Sequence, residues 1–297
     1  MIKKFILTSL RFIFPIISFL CLLLIVISIT TIYIRNNSKF YKIDKNIETL
    51  FLGDSHISHA INDDLIRGAK NLAKPAEAYY FTYHKLIFFT KENKNVKNIY
   101  LGYSYNSFSQ SYDQFINGWF ASNIGPSFFF ILPLKEQLRT LYWNRRTIKL
   151  FCRNLLSVFY DHLNENYKRK TSLYNGFDNY YNESCINQDT IRERINFQYF
   201  KKNNTLKTLD SSRFNSFYFK KIIKYCYVNN LNLKLIATPI HIENYKRIPL
   251  LFKNLFMKKK ELKLIDFTSY INDDCNFSPD GDHVNKIGSF KVTSALK

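Results

Sequence analysis

Two polar segments near opposite ends of the 297-residue chain contain side chains that together could perform nucleophilic chemistry. The first, Gly53-Asp54-Ser55-His56, follows an apolar run, and a serine at a strand-to-helix turn lies near free backbone N–H groups that can stabilise an oxyanion. In the second, Asp280-Gly281-Asp282-His283, a carboxylate three residues before a histidine can reach Nδ1 and leave Nε2 directed at the serine. Because a serine hydroxyl is a poor nucleophile without a base, the two segments favour a Ser–His–Asp site.

These segments resemble two sequence blocks of the SGNH (GDSL-like) hydrolase family. Gly53-Asp54-Ser55 matches the nucleophile block, with His56 where many members have leucine. Asp280-x-x-His283 matches the block near the end of the domain, and the run 282–288 is typical of the envelope members. The resemblance implies that Ser55 is the nucleophile, His283 the general base and Asp280 the residue that orients the histidine. Neither a cofactor nor a metal ion is expected.

The oxyanion-binding blocks of the family are matched only in part. The second block provides a glycine backbone N–H in the family, and this chain has Ala73 and Ala76 near that place. The third block reads Gly-x-Asn-Asp in the family, whereas here Asn106 is displaced and no aspartate follows it. Together with Asp54, these three residues are the expected oxyanion or substrate contacts.

Other interpretations of these residues remain open. The nucleophile segment could be only a turn that caps a helix, as Gly-Asp-Ser often is. Ser104 is a rival nucleophile, because Gly102-x-Ser104-x-Asn106 nearly fits the Gly-x-Ser-x-Gly elbow of α/β-hydrolases, although asparagine fits the last position less well than glycine. His241 and His56 could border a substrate pocket or be ordinary loop histidines.

The elements around these residues alternate between strands and helices. Apolar runs predict strands at 49–52, 71–73, 98–102, 233–237 and 262–267. Such alternation predicts an α/β fold, a parallel sheet with helices on both faces, in which functional groups gather at the carboxyl ends of the strands. The resemblance implies a flavodoxin-like three-layer SGNH fold over residues 48–297.

Two further regions complete the predicted organisation. Residues 120–212 are interpreted as a helical insertion, in which apolar spacing over 134–159 predicts one long amphipathic helix. Residues 12–34 contain no charge, and at about 1.5 Å per residue they span the roughly 30 Å of a bilayer core. Because no Ala-x-Ala cleavage site follows, an uncleaved anchor is expected, between a cytoplasmic segment 1–11 and a polar linker 35–47.

Composition adds little about function. The formal charge of +20 comes from dispersed basic residues, and the densest run, 258–260, accompanies no nucleic-acid-binding motif, so no nucleic-acid partner is expected. The five cysteines show no zinc spacing, and only Cys185 and Cys275 lie in polar, loop-like sequence where a disulfide could form. Basic residues flank both ends of the apolar segment, so charge does not decide its orientation.

The expected function follows from the resemblance. A tethered SGNH domain outside the cell membrane resembles envelope proteins that move acetyl or other acyl groups on a cell-surface polysaccharide or glycan. Some of these work beside a multi-pass membrane acyltransferase, which is the expected protein partner. The chain could be an O-acyltransferase, an esterase or a non-catalytic binding or assembly module of a surface-polysaccharide system. A basic protein that faces the cytoplasm and binds nucleic acid is the third alternative.

Overall fold

A computed structural model describes residues 2–104, 107–164, 177–178, 189–194, 212–246, 248 and 262–296. These residues form an α/β domain behind a long N-terminal helix, which confirms the prediction of an α/β fold with a parallel sheet. The strands are β1 (Thr49–Leu52), β2 (Ala69–Asn71), β3 (Asn98–Gly102), β4 (Asn232–Ala237) and β5 (Leu264–Asp266). The helices are α1 (Ile2–Asn37), α2 (Ser55–Ala60), α3 (Tyr79–Glu92), α4 (Gln114–Asn117), α5 (Ala121–Phe128), α6 (Leu134–Trp143), α7 (Ile148–Leu163), α8 (Arg213–Val228), α9 (Ile242–Lys246) and α10 (Lys286–Ala295).

The five strands form one parallel sheet in the order β2-β1-β3-β4-β5. After β1 the chain adds β2 on one side and β3 on the other, so the strand order reverses beside β1. Ligands of open α/β sheets bind at such a switch point, outside the carboxyl ends of the strands. Ser55 directly follows β1 and therefore lies at this point.

Helices cover both faces of the sheet. Leu50 and Leu52 of β1 pack into a core cluster with side chains of α3 and α8. Phe51, between them, packs into a second cluster with side chains of α2 and α10. Successive residues of a strand point to opposite faces, so a strand that is buried on both faces needs a continuous apolar run. This requirement explains why the run at 49–52 was recognisable as a strand.

Helix α1 is long and apolar enough to cross a membrane, a criterion of length and composition that a signal sequence also meets. Its apolar side chains are exposed along most of its described length, and Ile29 is an example at 62%. The last turns instead pack on the domain, where Ile34 is buried. Arg35 donates hydrogen bonds to the carbonyl oxygens of Phe130 and Leu132, at 2.6 and 2.9 Å.

Residues 35–47, which were predicted as a polar linker, also pack against the domain. Ser38 and Tyr41 are buried and both contact His162 of α7. Ser38 Oγ lies 2.9 Å from Nδ1 of this imidazole, and the Tyr41 hydroxyl lies 3.1 Å from Nε2. The contact joins residues more than a hundred positions apart, so the local polarity of the segment does not indicate it.

The predicted long helix of the insertion is two helices. Helix α6 ends at Trp143, the Asn144 side chain donates to the Thr140 carbonyl oxygen at 2.9 Å, and a 3-10 turn at Arg145–Thr147 leads into α7. The apolar spacing continues across this break, so periodicity alone predicts one helix. Most of the predicted insertion after residue 164 lies outside the described residues.

Candidate active site

Ser55 occupies the first position of α2, just beyond the carboxyl end of β1. Gly53 makes the turn with a φ of +143°, and a Cβ there would lie 3.2 Å from the backbone of Gly102 at the end of β3. Only glycine tolerates both this dihedral and this close approach of two strand ends. Asp54 caps the helix by accepting the backbone N–H of His56 at 3.1 Å. The turn therefore holds the Ser55 hydroxyl at the sheet edge.

Ser55, His283 and Asp280 form a continuous hydrogen-bond relay. Ser55 Oγ lies 2.7 Å from Nε2 of His283, and Nδ1 of the same ring lies 2.8 Å from Oδ2 of Asp280. The Asp280 carboxylate can only accept, so the proton of the neutral imidazole lies on Nδ1 and Nε2 is left to take the serine proton. The fold thus joins two residues that are 228 positions apart in the sequence.

The second carboxylate oxygen of Asp280 orders the loop that carries His283. Oδ1 accepts hydrogen bonds from the Ser278 hydroxyl and from the backbone N–H groups of Asp282 and His283, at 2.5, 2.9 and 3.1 Å. Gly281 has a φ of +64°, a left-handed conformation that glycine adopts without strain. The Asp280 carboxylate therefore both shapes the turn and orients the imidazole.

The electrostatics favour a charged relay. Burial of the His283 imidazole lowers its pKa, but the hydrogen bond with Asp280 and the negative charge of Asp282 outweigh this effect. With further contributions from the charges of Asp280 and Asp54, the pKa of His283 is raised to about 9. Burial raises the pKa of Asp280, yet the hydrogen bond and charge of His283 hold that pKa well below its usual range. Asp280 therefore stays ionised while His283 can accept and hold a proton.

A second histidine borders the relay. Nε2 of His56 lies 3.7 Å from Oδ2 of Asp282, and the rings of His56 and His283 lie 4.9 Å apart between centroids. His56 is buried, and its Nδ1 lies 3.3 Å from Oγ1 of Thr238. The ligand atoms of His56, Asp282 and His283 fall within 4.8 Å of one another, a set that a Zn²⁺-like ion could use. Nε2 of His283 cannot coordinate such an ion and contact the Ser55 hydroxyl at the same time.

The loop after β2, which contains Ala73 and Ala76, lies against the turn that carries Ser55. The backbone N–H of Lys74 donates to the carbonyl oxygen of Gly53 at 3.1 Å. Ala73 is buried, and its N–H donates to Oδ1 of Asn71 at 3.0 Å, which occupies this donor inside the loop. Ala76 has a φ of +61°, a strained conformation for a residue with a Cβ and one that glycine would adopt freely.

A buried ion pair, which the sequence does not indicate, fixes the same loop. Lys85 Nζ contacts the carboxylate of Glu77 and also donates to the carbonyl oxygen of Leu72 at 2.5 Å. Glu77 in addition accepts the Thr82 hydroxyl at 2.9 Å. Both charged side chains of the pair are fully buried. Opposite charges eight positions apart are common on protein surfaces, so the sequence provides no signal that this pair is internal.

Asp54 contacts Tyr112, a partner that the sequence does not indicate. Its Oδ2 accepts the hydroxyl of Tyr112 at 2.5 Å, while Oδ1 caps α2. Tyr112 belongs to a 3-10 turn at Gln110–Asp113, and burial, with the nearby Asp54 carboxylate, raises its pKa well above the usual value. Because both oxygens of Asp54 accept hydrogen bonds, this residue supports the turn and does not supply a donor to an oxyanion.

Ser104, the rival nucleophile, has a different hydroxyl environment from Ser55. Its Oγ lies 3.0 Å from Oγ of Ser107, and its backbone N–H donates to the same oxygen at 2.9 Å. The relay histidine contacts Ser55 and not this residue. Asn106, the third expected oxyanion contact, lies outside the described residues.

His241 supports the relay loop, and its side chain is buried. Its Nε2 lies 2.7 Å from Oδ1 of Asp274, and Nδ1 accepts the backbone N–H of Glu243 at 3.3 Å. Its own backbone N–H donates to the carbonyl oxygen of Gly281 at 3.0 Å. Both ring nitrogens are thus used in structural contacts.

Comparison of the chain with protein-family models finds no match, and comparison with curated proteins finds none either. The functional assignment is therefore argued from the geometry of the site.

Proposed function

We propose that this chain is a membrane-anchored, serine-dependent O-acyltransferase or esterase of the SGNH (GDSL-like) type that acts on a cell-surface polysaccharide or glycan, with acetyl as the expected acyl group. The observation that carries the proposal is the relay from Ser55 through His283 to Asp280, with contacts of 2.7 and 2.8 Å. The position of Ser55 at the switch point of a 2-1-3-4-5 sheet supports the flavodoxin-like part of the assignment.

The reaction has two half-steps that use the same base. Ser55 Oγ attacks the carbonyl carbon of the acyl donor while Nε2 of His283 takes the hydroxyl proton. The donor's alkoxide leaves with that proton, and an acyl-serine ester remains. The hydroxyl of a sugar, or water, then attacks the ester carbonyl and gives its proton to Nε2 of His283. The imidazole returns this proton to the Ser55 oxygen as the serine leaves. A sugar acceptor makes the protein a transferase, and water makes it an esterase.

One feature supports a membrane anchor, and another supports a body on the outer side of the cell membrane. Helix α1 is able to serve as the anchor, with residues 12–34 as the proposed span. Cys275 is disulfide-bonded, and disulfides persist mainly in oxidising compartments beyond the cytoplasm. Cys185, its expected partner, lies outside the described residues. A body on this side of the membrane can reach surface glycans and can receive acyl groups from a multi-pass membrane acyltransferase, the proposed protein partner.

The test uses the full chain in nanodiscs with a chromogenic acetyl ester. We expect turnover in the parent and in Ser104→Ala, and no turnover in Ser55→Ala or His283→Ala, because only the relay activates a serine. A chelator should leave turnover unchanged, since a metal ion at His56, Asp282 and His283 would compete with Ser55. Loss of activity in Ser104→Ala alone, with a folded protein, would reject Ser55 as the nucleophile.

One observation favours a second candidate, a non-catalytic binding or assembly module. The N–H of Ala73, an expected oxyanion donor, is occupied by the Asn71 side chain. A site that cannot stabilise an oxyanion loses a large part of its rate, of the order of 10²- to 10³-fold for one donor. Labelling by a serine-reactive fluorophosphonate separates the two candidates, because the reagent requires an activated serine.

A further inference from the structure

Helix α6 carries an apolar surface that the proposed reaction does not use. Leu134, Leu138 and Tyr142 are 39%, 37% and 64% exposed. Residues four positions apart lie on one face of a helix, so the three side chains form a single stripe. The rest of α6 packs into the domain, where Gln137 and Thr140 are buried. The domain-facing side of α6 also includes Leu141 and Trp143, which pack against the core, so the exposed stripe is a second apolar surface of the same helix.

The stripe begins where α6 contacts the N-terminal helix. Nε2 of Gln137 donates to Oγ1 of Thr31 on α1 at 2.9 Å. At 3.6 residues per turn, Leu134 is the next member of the stripe around the helix from Gln137. The stripe on α6 thus starts beside the hydrogen bond that joins this helix to α1.

The part of α1 that α6 contacts belongs to the proposed membrane span. Thr31 is buried against the domain, whereas Ile29 and Ile32, on either side of it in the sequence, are exposed. The segment that meets the length and composition criterion, Ile17–Asn37, includes all three residues. An element packed on Thr31 lies at the same depth as the end of that segment.

Exposed basic residues lie near the stripe in the sequence. Lys135, Arg145 and Arg146 are exposed, and the Arg145 guanidinium lies 4.7 Å from the ring centroid of Tyr142. Helices that lie in the plane of a membrane combine an apolar face with lysine and arginine, which attract anionic headgroups. This combination fits a lipid surface better than a protein groove.

We infer that α6 lies in the membrane interface, with Leu134, Leu138 and Tyr142 at the boundary between headgroups and acyl chains. The inference rests on the membrane anchoring by α1 that is part of the proposed function. It implies that the domain is held at two places, by the crossing helix and by α6, and so lies on the bilayer with one fixed face.

Single tryptophans in nanodiscs of brominated phospholipid test the inference. The chain has two tryptophans, Trp119 and Trp143, and a W119F/W143F background removes both. Into this background we place one reporter at a time: Y142W on the stripe, Y33W on α1 and Y227W on the last turn of α8, where the native side chain is 83% exposed. Bromine atoms quench only a tryptophan that reaches the lipid.

We expect Y142W and Y33W to lose most of their fluorescence and Y227W to keep it. Quenching of Y33W with Y142W as bright as Y227W would overturn the inference and leave the anchor intact, and it is the result expected if the stripe binds a protein. If neither Y33W nor Y142W is quenched, the anchoring by α1 would be overturned as well. If W143F prevents folding, the same reporters are read in W119F, with the quenching of Trp143 subtracted.

Discussion

Two histidine–aspartate pairs lie close together in this fold and differ in what they can do. Nδ1 of His283 meets Asp280 at 2.8 Å, and Nε2 of His241 meets Asp274 at 2.7 Å. The remaining nitrogen of His283 reaches the Ser55 hydroxyl, whereas that of His241 accepts a backbone N–H. The first pair connects to a group that can lose a proton to a base, and the second ends in an amide that cannot.

The comparison shows that a histidine–carboxylate pair is not itself a sign of catalysis. Both pairs have short contacts, and both hold their imidazole in one tautomer. What differs is the partner of the second ring nitrogen and the access to that partner. His241 also holds the backbone of Gly281, so the buried pair positions the loop that carries the reactive pair. The Asp274–His241 pair therefore has a structural role, and the Asp280–His283 pair is the one that contacts a serine hydroxyl.

The largest effect that separates the pairs is expected from removing each imidazole. His283→Ala should abolish fluorophosphonate labelling of Ser55, because no base remains to take the serine proton. His241→Ala should still be labelled, since its imidazole does not contact the serine. In-gel fluorescence after labelling of the full chain, with Ser55→Ala as the blank and circular dichroism as the folding control, measures both. Equal loss in the two alanine variants, with both folded, would remove the distinction.

Neutralising the carboxylates should give the next largest difference. Asp280→Asn is expected to lower kcat for ester turnover roughly 10⁴-fold, because the amide no longer holds the imidazole with Nε2 free to accept. Asp274→Asn changes the charge behind a histidine that takes no part in proton transfer, so kcat should change by less than about tenfold. Steady-state kinetics on both variants make the test. A kcat loss in Asp274→Asn comparable to that in Asp280→Asn would mean that the second pair takes part in the chemistry.

The pH dependence of turnover should identify the reactive pair. The base must be neutral to accept a proton, and the pKa of His283 is raised to about 9. We therefore expect kcat/KM to rise about tenfold per pH unit below this value and to level off above it.

Substitution of Asp282 should shift the pH profile. Its negative charge is one cause of the raised pKa of His283, so Asp282→Asn should move the profile toward lower pH. Asp64→Asn, at an exposed residue, is the matched control and should leave the profile unchanged. An unshifted profile in Asp282→Asn would argue that another group sets the pH dependence.

A more modest effect is expected in the pH dependence of stability that His283 contributes. His283 has an unfolded pKa of 6.5 and a folded pKa raised to about 9, so its charged form stabilises the fold. This contribution is complete below pH 6.5 and is lost as pH rises through 9. Denaturant titrations of the parent and of His283→Gln should converge above this range and diverge below it. Parallel curves from pH 6 to pH 10 would contradict the raised pKa.

The smallest effect concerns His241 as a support. His241→Gln removes the ring contact with Asp274 and should lower the free energy of unfolding by about 1–3 kcal/mol, the usual cost of leaving a buried polar group without its partner. Ester turnover at saturating substrate should change little. Chemical denaturation and kcat are measured on the same preparation, and an intact stability with a lost kcat would reverse the assigned roles.

Much of the fold could be predicted from the sequence because its signals are local. The continuous apolar run at 49–52 is what a strand buried on both faces requires, and the uncharged segment 12–34 is long enough for a bilayer. The same locality explains an error. The break between α6 and α7 leaves the apolar spacing intact and depends on the Asn144 cap, which periodicity does not register.

Residue types and local spacing are enough to indicate which side chains could carry chemistry: a serine after a strand, and an aspartate three positions before a histidine. The folded arrangement is needed to show that Ser55 and His283 meet, that Ser104 bonds elsewhere, and that Tyr112 and the Glu77–Lys85 pair lie around the site. The physical reason is separation along the chain. A turn or a cap depends on neighbours within a few residues, whereas a relay between residues 228 positions apart exists only after the parallel sheet brings the ends of its strands to one edge.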